Sequence, residues 1–156
     1  MNKILMIDDD YVIRLIYKEE LSDAGYQVIT ANDCEGLMEM IERHRPDLII
    51  LSITMQNHSG FDALQNIRHH YYDLPVILCT GYPAFKFDPR AIAADYVVVR
   101  SGDLGELKLK IEMAIESTVQ FQDYPISHQT NEDGSIFDNM DCTHSPGYWA
   151  VSENRL

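Results

Sequence analysis

The chain has 156 residues, of which 46% are hydrophobic and 24% charged, a composition typical of a single globular domain. Its 25 acidic residues outnumber 12 Lys and Arg, and the net charge of −13 argues against binding to nucleic acid or to an anionic membrane by general attraction. The three cysteines lack paired metal-binding spacing, and the apolar run at residues 4–7 is too short for a signal peptide or a membrane span. We therefore expect a cytoplasmic protein with reduced thiols.

The first part of the chain alternates short apolar runs with segments of helical length. Apolar residues spaced three and four apart, as at Val12, Leu15 and Ile16, predict amphipathic helices between the runs. Each run fits a strand that is buried on both faces. The predicted strands lie at residues 3–7, 26–30, 47–52, 75–79 and 96–99.

Two later segments differ in how strongly they predict a helix. The connection at residues 81–94 is the weakest predicted helix, because Pro83 and Pro89 interrupt it. The last helix is predicted over residues 103–118, where Asp103 and Glu106 resemble a capping box.

Five alternating strands and helices predict a doubly wound α/β domain over residues 1–119, with a parallel sheet covered by helices on both faces. Ligands bind such sheets outside the carboxyl ends of the strands, where the winding reverses. Four segments follow strand ends at that edge: residues 8–10, 52–55, 80–82 and 100–102.

Residues 120–156 differ in composition from the rest of the chain, with many turn-forming residues and six acidic residues but a single Lys or Arg residue, Arg155. This composition predicts a flexible acidic tail that is too short for a DNA-binding output domain. Four apolar side chains in it leave open docking on the domain or on a neighbour: Ile136, Phe137, Tyr148 and Trp149.

The polar residues at the strand ends are ambiguous one by one. Adjacent aspartates after the first strand favour a hard cation such as Mg²⁺, but Asp8 to Asp10 serve equally well as a helix cap before Tyr11. Thr80 alone fits a turn in which its hydroxyl bonds the backbone, and Arg100 alone fits a solvated loop residue.

Taken together and in order, these motifs resemble the receiver domain of two-component response regulators over about residues 2–118. After the acid pair come a buried strand at Pro46 to Leu51 and a loop with Met55 and Gly60, at the spacing of the family. They are followed by a strand end with a hydroxyl, Leu78 to Gly81, and by a basic residue, Arg100, ahead of Asp103. The resemblance implies a five-stranded sheet in the order 2-1-3-4-5.

The resemblance also implies roles for the strand-end residues. In the family, an aspartate after the third strand accepts a phosphoryl group from a histidine kinase, with Mg²⁺ held by acids after the first strand. By position, Asp8 and Asp9 match these metal ligands, and the backbone carbonyl of Thr54 matches a third. Thr80 matches the hydroxyl that contacts the phosphoryl group.

Two positions depart from the family pattern. Ser52 stands at the phosphate-accepting position and Arg100 at the position of a lysine. A serine cannot form an acyl phosphate, so we expect the usual phosphorelay step to be absent. The pocket carries one negative charge fewer than a family site, so we expect Mg²⁺ binding to be weakened and Arg100 to be able to pair with the acids. The sequence does not distinguish a natural Ser52 from an introduced one.

We therefore expect a non-enzymatic protein-interaction module whose partner is a histidine kinase or a downstream signalling protein, with homodimerisation left open. The aromatic switch position of the family falls on Val97, and Tyr96 is expected on the opposite face of the strand unless a bulge intervenes. The aromatic stretch of Tyr82, Phe85 and Phe87 favours a docking surface over core.

Two alternatives compete with this interpretation. A magnesium-dependent phosphatase of the haloacid dehalogenase type would use Asp8 as nucleophile and Asp10 as acid or base, with Thr80 or Ser52 supplying the second-motif hydroxyl, but no further acid follows Asp103 at the required place. A flavodoxin-like electron carrier is disfavoured because three aspartates in the first loop repel a phosphate.

Overall fold

The computed structural model describes residues 1–122, which form a five-stranded parallel sheet flanked by helices. In chain order the elements are β1 (Lys3–Ile7), α1 (Tyr11–Asp23), β2 (Gln27–Ala31), α2 (Leu37–His44), β3 (Leu48–Ser52), α3 (Gly60–His70), β4 (Val76–Thr80), the 3₁₀ turns η1 (Pro83–Phe87) and η2 (Pro89–Ala93), β5 (Tyr96–Val99) and α4 (Gly105–Gln122). The strand order is β2-β1-β3-β4-β5, which confirms the predicted doubly wound topology.

The central strands are buried on both faces, which explains why they read as continuous apolar runs. Successive residues of β1 and β3 point into two different cores. Ile4 and Ile50 pack on the side of α1 and α4, whereas Leu5 and Leu51 pack on the side of α2 and α3. The parallel pairing of β1 with β3 and of β3 with β4 brings the carboxyl ends of these strands to one edge of the sheet.

Helix α1 buries a different stripe from the one that the sequence pattern suggested. Tyr17 and Leu21 are buried and Ile13 packs against them, whereas Leu15 and Ile16 are exposed. Both stripes have helical spacing, and periodicity alone does not specify which of two apolar stripes faces the sheet. The exposed apolar side chains of α1 are Tyr11, Val12, Leu15 and Ile16, and we call them the α1 apolar patch.

The connection between β4 and β5 contains no α-helix, as its prolines predict. It forms two 3₁₀ turns, each with a proline in its first positions. The aromatic stretch is divided between core and surface: Phe85 packs edge-to-face on Phe61 at 5.9 Å between ring centroids, whereas Tyr82 and Phe87 are exposed.

Helix α4 begins at Gly105, two residues later than predicted, and extends beyond residue 118. The Asp103 carboxylate accepts the Gly105 N–H at 2.8 Å, but Glu106 instead pairs with Lys86, so the reciprocal capping box does not form. Among residues 1–122, no helix combines the length and apolarity that a membrane span requires. The first three residues of the predicted tail, 120–122, belong to α4, and residues 123–156 lie outside the described residues.

Strand β5 pairs with β4 in unbroken register, so the bulge that would reposition Tyr96 is absent from this pairing. Val97 packs in the core on the α3 side, and Tyr96 packs on the α4 side beneath the ammonium group of Lys110. The two residues therefore occupy opposite faces, as expected, and the predicted aromatic switch position holds a valine.

Candidate functional site

The carboxyl ends of four parallel strands bring the predicted site residues to one edge of the sheet. Asp8 directly follows β1, Ser52 ends β3, Thr80 ends β4, and Arg100 directly follows β5. The side chains of the first three are almost completely buried. The main-chain N–H of Arg100 donates to the Thr80 carbonyl at 2.7 Å, which fixes the start of the arginine side chain beside the pocket.

Arg100 contacts both Asp8 and Ser52 through one nitrogen. Its Nη2 donates to Oδ2 of Asp8 and, at 2.6 Å, to Oγ of Ser52. The Asp8 side chain is 2% exposed and the Arg100 side chain 20% exposed, so the ion pair is largely shielded from water. A charge pair in such surroundings is screened much less than a surface pair.

The environment of Asp8 acts on its ionisation in two opposing directions. Burial raises the pKa of the Asp8 carboxyl above its ordinary value, because the charged form loses its hydration. The Asp10 N–H, which donates to Oδ1 at 2.9 Å, and the positive charge of Arg100 both act to lower that pKa. Arg100 thus stabilises a carboxylate that burial alone disfavours.

One polar atom of the pocket has no partner among the described residues. Nε of Arg100 is buried and makes no hydrogen bond. Leaving a buried donor unsatisfied costs free energy, so the rest of the guanidinium must gain enough from Asp8 and Ser52 to hold this position.

The two hydroxyl groups of the site make local bonds as well. Oγ of Ser52 donates to the backbone carbonyl of Thr54 at 3.1 Å. Oγ1 of Thr80 accepts the Tyr82 N–H at 3.0 Å, which is the turn interaction that a threonine at a strand end commonly makes. Ser52 therefore faces Arg100 and Thr54, while Thr80 is engaged with its own turn.

The remaining aspartates of the first loop have separate partners. Oδ2 of Asp9 accepts the Gln56 N–H at 2.9 Å, which links the loop after β1 to the loop after β3. Oδ1 of Asp10 accepts the N–H groups of Val12 and Ile13 and caps α1. Asp10 is thus a helix cap, one of the two roles that its sequence position allowed.

A cavity of about 580 Å³ opens over this edge of the sheet. Its walls are acidic on the β1 side and carry Arg100 on the β5 side, with contributions from Asp9, Asp10, Thr54, Met55, Gln56, Gly81 and Tyr82. Within residues 1–122, no three His, Cys, Asp or Glu side chains are grouped so that they could hold a metal ion.

Sequence reasoning missed two residues of the site. Nη1 of Arg14 donates to the Asp8 carbonyl at 2.6 Å, and the backbone of Gln56 holds Asp9. Arg14 sits among the apolar residues of α1, and only the helix phase reveals that it points toward the loop after β1. The Gln56 contact is made by the backbone, so its side-chain identity carries no signal.

The sheet order, with an acidic pocket at its carboxyl edge, defines a doubly wound domain of the flavodoxin-like class. The family model described as "Response regulator receiver domain" matches residues 4–112. The chain therefore belongs to the response regulator receiver family, as its motifs predicted.

Curated relatives and solved structures agree with this assignment. A probable transcriptional regulator ycf27 from Guillardia theta is 34% identical over 118 residues, covering 74% of this chain and 46% of that protein. The regulatory protein AtoC from Escherichia coli is 29% identical over 119 residues, covering 74% of this chain and 26% of that protein. The chain thus spans about half the length of these ycf27 relatives and 26% of the length of AtoC.

Solved structures of the response regulator TrrA from Thermotoga maritima are similar in both sequence and fold. TrrA in complex with Mg²⁺–BeF is 37% identical, with a TM-score of 0.70 over 73% of this chain and 99% of TrrA. TrrA in complex with the histidine kinase ThkA gives a TM-score of 0.69 at 37% identity, over 73% and 98% of the two chains. These matches confirm the predicted fold.

Proposed function

We propose that this chain is a receiver domain of two-component signalling that acts by binding proteins and does not form an aspartyl phosphate. The observation that carries the proposal is the contact between Arg100 Nη2 and Ser52 Oγ, 2.6 Å apart, at the carboxyl end of β3. By resemblance to the family, position 52 is where an aspartate would accept the phosphoryl group, and here a hydroxyl is held by a cation.

The chemistry of the pocket supports this assignment. An acyl phosphate requires a carboxylate, and a serine becomes a nucleophile only when a general base removes its proton. The Ser52 proton is directed at the Thr54 carbonyl, which is not a base, and the neighbouring Asp8 is paired with Arg100. Ser52 is therefore unactivated, and no other carboxylate stands at the end of β3.

Protein partners are supported by the surface around the pocket. The α1 apolar patch adjoins the loop that carries Asp8 to Asp10, and contiguous exposed apolar residues commonly mark interaction sites. TrrA was solved in complex with a histidine kinase. We propose that a histidine kinase or a downstream signalling protein in the cytoplasm binds this patch. The net charge of −13 makes nucleic acid an unsuitable direct ligand, and a second copy of the chain is a further candidate partner.

The haloacid dehalogenase alternative gains no support from the geometry. That mechanism needs Asp10 as a free acid or base, whereas Oδ1 of Asp10 accepts two N–H groups at the start of α1. Its nucleophile would be Asp8, which is held by Arg100. We therefore propose no second function.

Phosphorylation with a small-molecule donor tests the proposal. Wild type, Ser52→Asp and the double variant Ser52→Asp/Arg100→Lys would be incubated with acetyl phosphate and Mg²⁺, and their intact masses measured before and after hydroxylamine. We expect no hydroxylamine-labile phosphate on wild type and a labile phosphate on the double variant. A labile phosphate on wild type contradicts the proposal. A double variant that remains unmodified shows that these two residues are not what prevents the reaction.

A binding measurement tests the partner assignment. Leu15→Glu places a charge within the α1 apolar patch, and Leu109→Glu places the same charge at an exposed leucine of α4. Titration calorimetry against candidate histidine kinases should show at least about tenfold weaker binding for the Leu15 variant only, because desolvating a buried charge opposes association. Equal losses in both variants would show that the patch is not the binding surface.

A further inference from the structure

The donor set that the family uses for a divalent cation is already engaged in this chain. Oδ1 of Asp8 accepts the Asp10 N–H, and Oδ2 accepts Arg100. Oδ2 of Asp9 accepts the Gln56 N–H, and the Thr54 carbonyl accepts Ser52. A divalent cation at these ligands would lie beside a guanidinium that carries the same sign of charge, and the two would repel each other at short range. The residues present therefore do not fit a bound Mg²⁺ while Arg100 holds this position.

Ser52 and Arg100 together make the contacts that a cation would make. Arg100 supplies positive charge to the buried Asp8 carboxylate, and the Ser52 hydroxyl satisfies the Thr54 carbonyl. The same hydroxyl accepts from Arg100, so position 52 must donate and accept at once. An ionised aspartate only accepts, so at this position it would direct an oxygen at the Thr54 carbonyl without a proton between them.

We propose that the pair of Arg100 and Ser52 replaces the divalent cation in this receiver domain, so that the pocket is complete without metal. The two departures from the family pattern are then one coupled change: the arginine neutralises the carboxylate, and the serine satisfies the carbonyl. The backbone bond from Arg100 to the Thr80 carbonyl anchors the arginine at the end of β5, from where its guanidinium reaches Asp8.

Metal binding and phosphorylation are separate properties of this pocket. A chain that forms no acyl phosphate can still bind Mg²⁺. A metal-binding measurement on unphosphorylated protein therefore distinguishes the failure of one from the failure of the other.

Thermal unfolding followed by circular dichroism gives the first test, with EDTA or with MgCl₂ at matched ionic strength. Wild type should keep the same Tm in both solutions, because Mg²⁺ does not bind the folded state selectively. The variant Ser52→Asp/Arg100→Lys should show a Tm that rises with MgCl₂. A Tm of wild type that rises with Mg²⁺ and loses this response in Asp9→Asn would overturn the proposal, as would a folded double variant that does not respond.

Direct binding of Mn²⁺, measured by water-proton relaxation, provides a second test with a less demanding variant. Arg100→Ala removes the guanidinium, and Lys108→Ala removes one positive charge from the exposed ion pair with Glu20. We expect Arg100→Ala to bind Mn²⁺ at least about tenfold more tightly than wild type, and Lys108→Ala less than about twofold. Equal Mn²⁺ affinity in wild type and Arg100→Ala would refute the replacement of the cation by Arg100.

Discussion

Replacing Arg100 with Gln leaves the Asp8 carboxylate buried without its positive partner. The Asp8 side chain is 2% exposed, and removing one member of a buried ion pair costs about 3–5 kcal/mol. Because the Arg100 side chain is 20% exposed, water can reach the vacated space, and we expect the lower end of that range, about 3 kcal/mol. This is a large part of the stability of an ordinary domain, which is about 5–15 kcal/mol.

The loss should also depend on pH in a defined direction. Burial already raises the pKa of Asp8, and removing Arg100 takes away a charge that opposes this rise. An aspartate with a raised pKa in the folded state binds more protons folded than unfolded, so its contribution to stability falls as pH rises above the unfolded pKa. The loss in free energy of unfolding caused by Arg100→Gln should therefore be smaller at about pH 5 than at about pH 8.

Urea denaturation followed by far-UV circular dichroism measures this prediction, in EDTA so that no cation can take the place of the arginine. The control is Lys108→Gln, which breaks the exposed pair between Lys108 and Glu20 and should cost less than about 1 kcal/mol. If Arg100→Gln is as stable as this control at both pH values, Arg100 does not stabilise the Asp8 carboxylate and the account of the pocket is wrong.

Three further predictions concern other parts of the domain. In Gly60→Ala the new Cβ would lie 2.1 Å from the Ser52 carbonyl oxygen, so the start of α3 must shift, and urea denaturation should show a loss of about 3 kcal/mol; an unchanged midpoint would contradict this. Burial raises the pKa of Cys79 to about 12, so a variant with Cys79 as its single cysteine should react with a thiol reagent only on unfolding; rapid labelling of the native state would refute it. Hydrogen bonds from Arg90 lower the pKa of the Asp88 carboxyl to about 2, and carbon NMR titration of Arg90→Gln should return it toward 3.8; an unmoved value would show that another group lowers it.

The sheet and the location of the pocket could be predicted from the sequence, because each sequence pattern involved is compatible with one arrangement of the strands. Strands buried on both faces read as unbroken apolar runs, and the predicted run at residues 47–52 differs from Leu48–Ser52 by one residue. Once the strands are parallel, their carboxyl ends share an edge, which places Asp8 near Ser52 and Arg100 without further information.

The phase of α1 and the contacts within the pocket could not be predicted in the same way. Helix α1 carries two apolar stripes, and packing of Tyr17 and Leu21 against the sheet decides between them. The sequence placed Arg100 at the correct edge, but whether its guanidinium points to solvent or to Asp8 depends on a side-chain conformation that tertiary packing selects. Position in the fold and the possibility of pairing between Arg100 and the acids were therefore predictable, while the choice of Asp8 and Ser52 as its partners was not.

A crystal structure of the wild-type protein grown with Mg²⁺ and beryllofluoride tests the central claim most directly. We predict that Arg100 remains on Asp8 and Ser52, that Ser52 still donates to the Thr54 carbonyl, and that neither Mg²⁺ nor beryllofluoride binds beside them. A metal ion coordinated by Asp8, Asp9 and the Thr54 carbonyl, with Arg100 turned away toward solvent, would contradict the account.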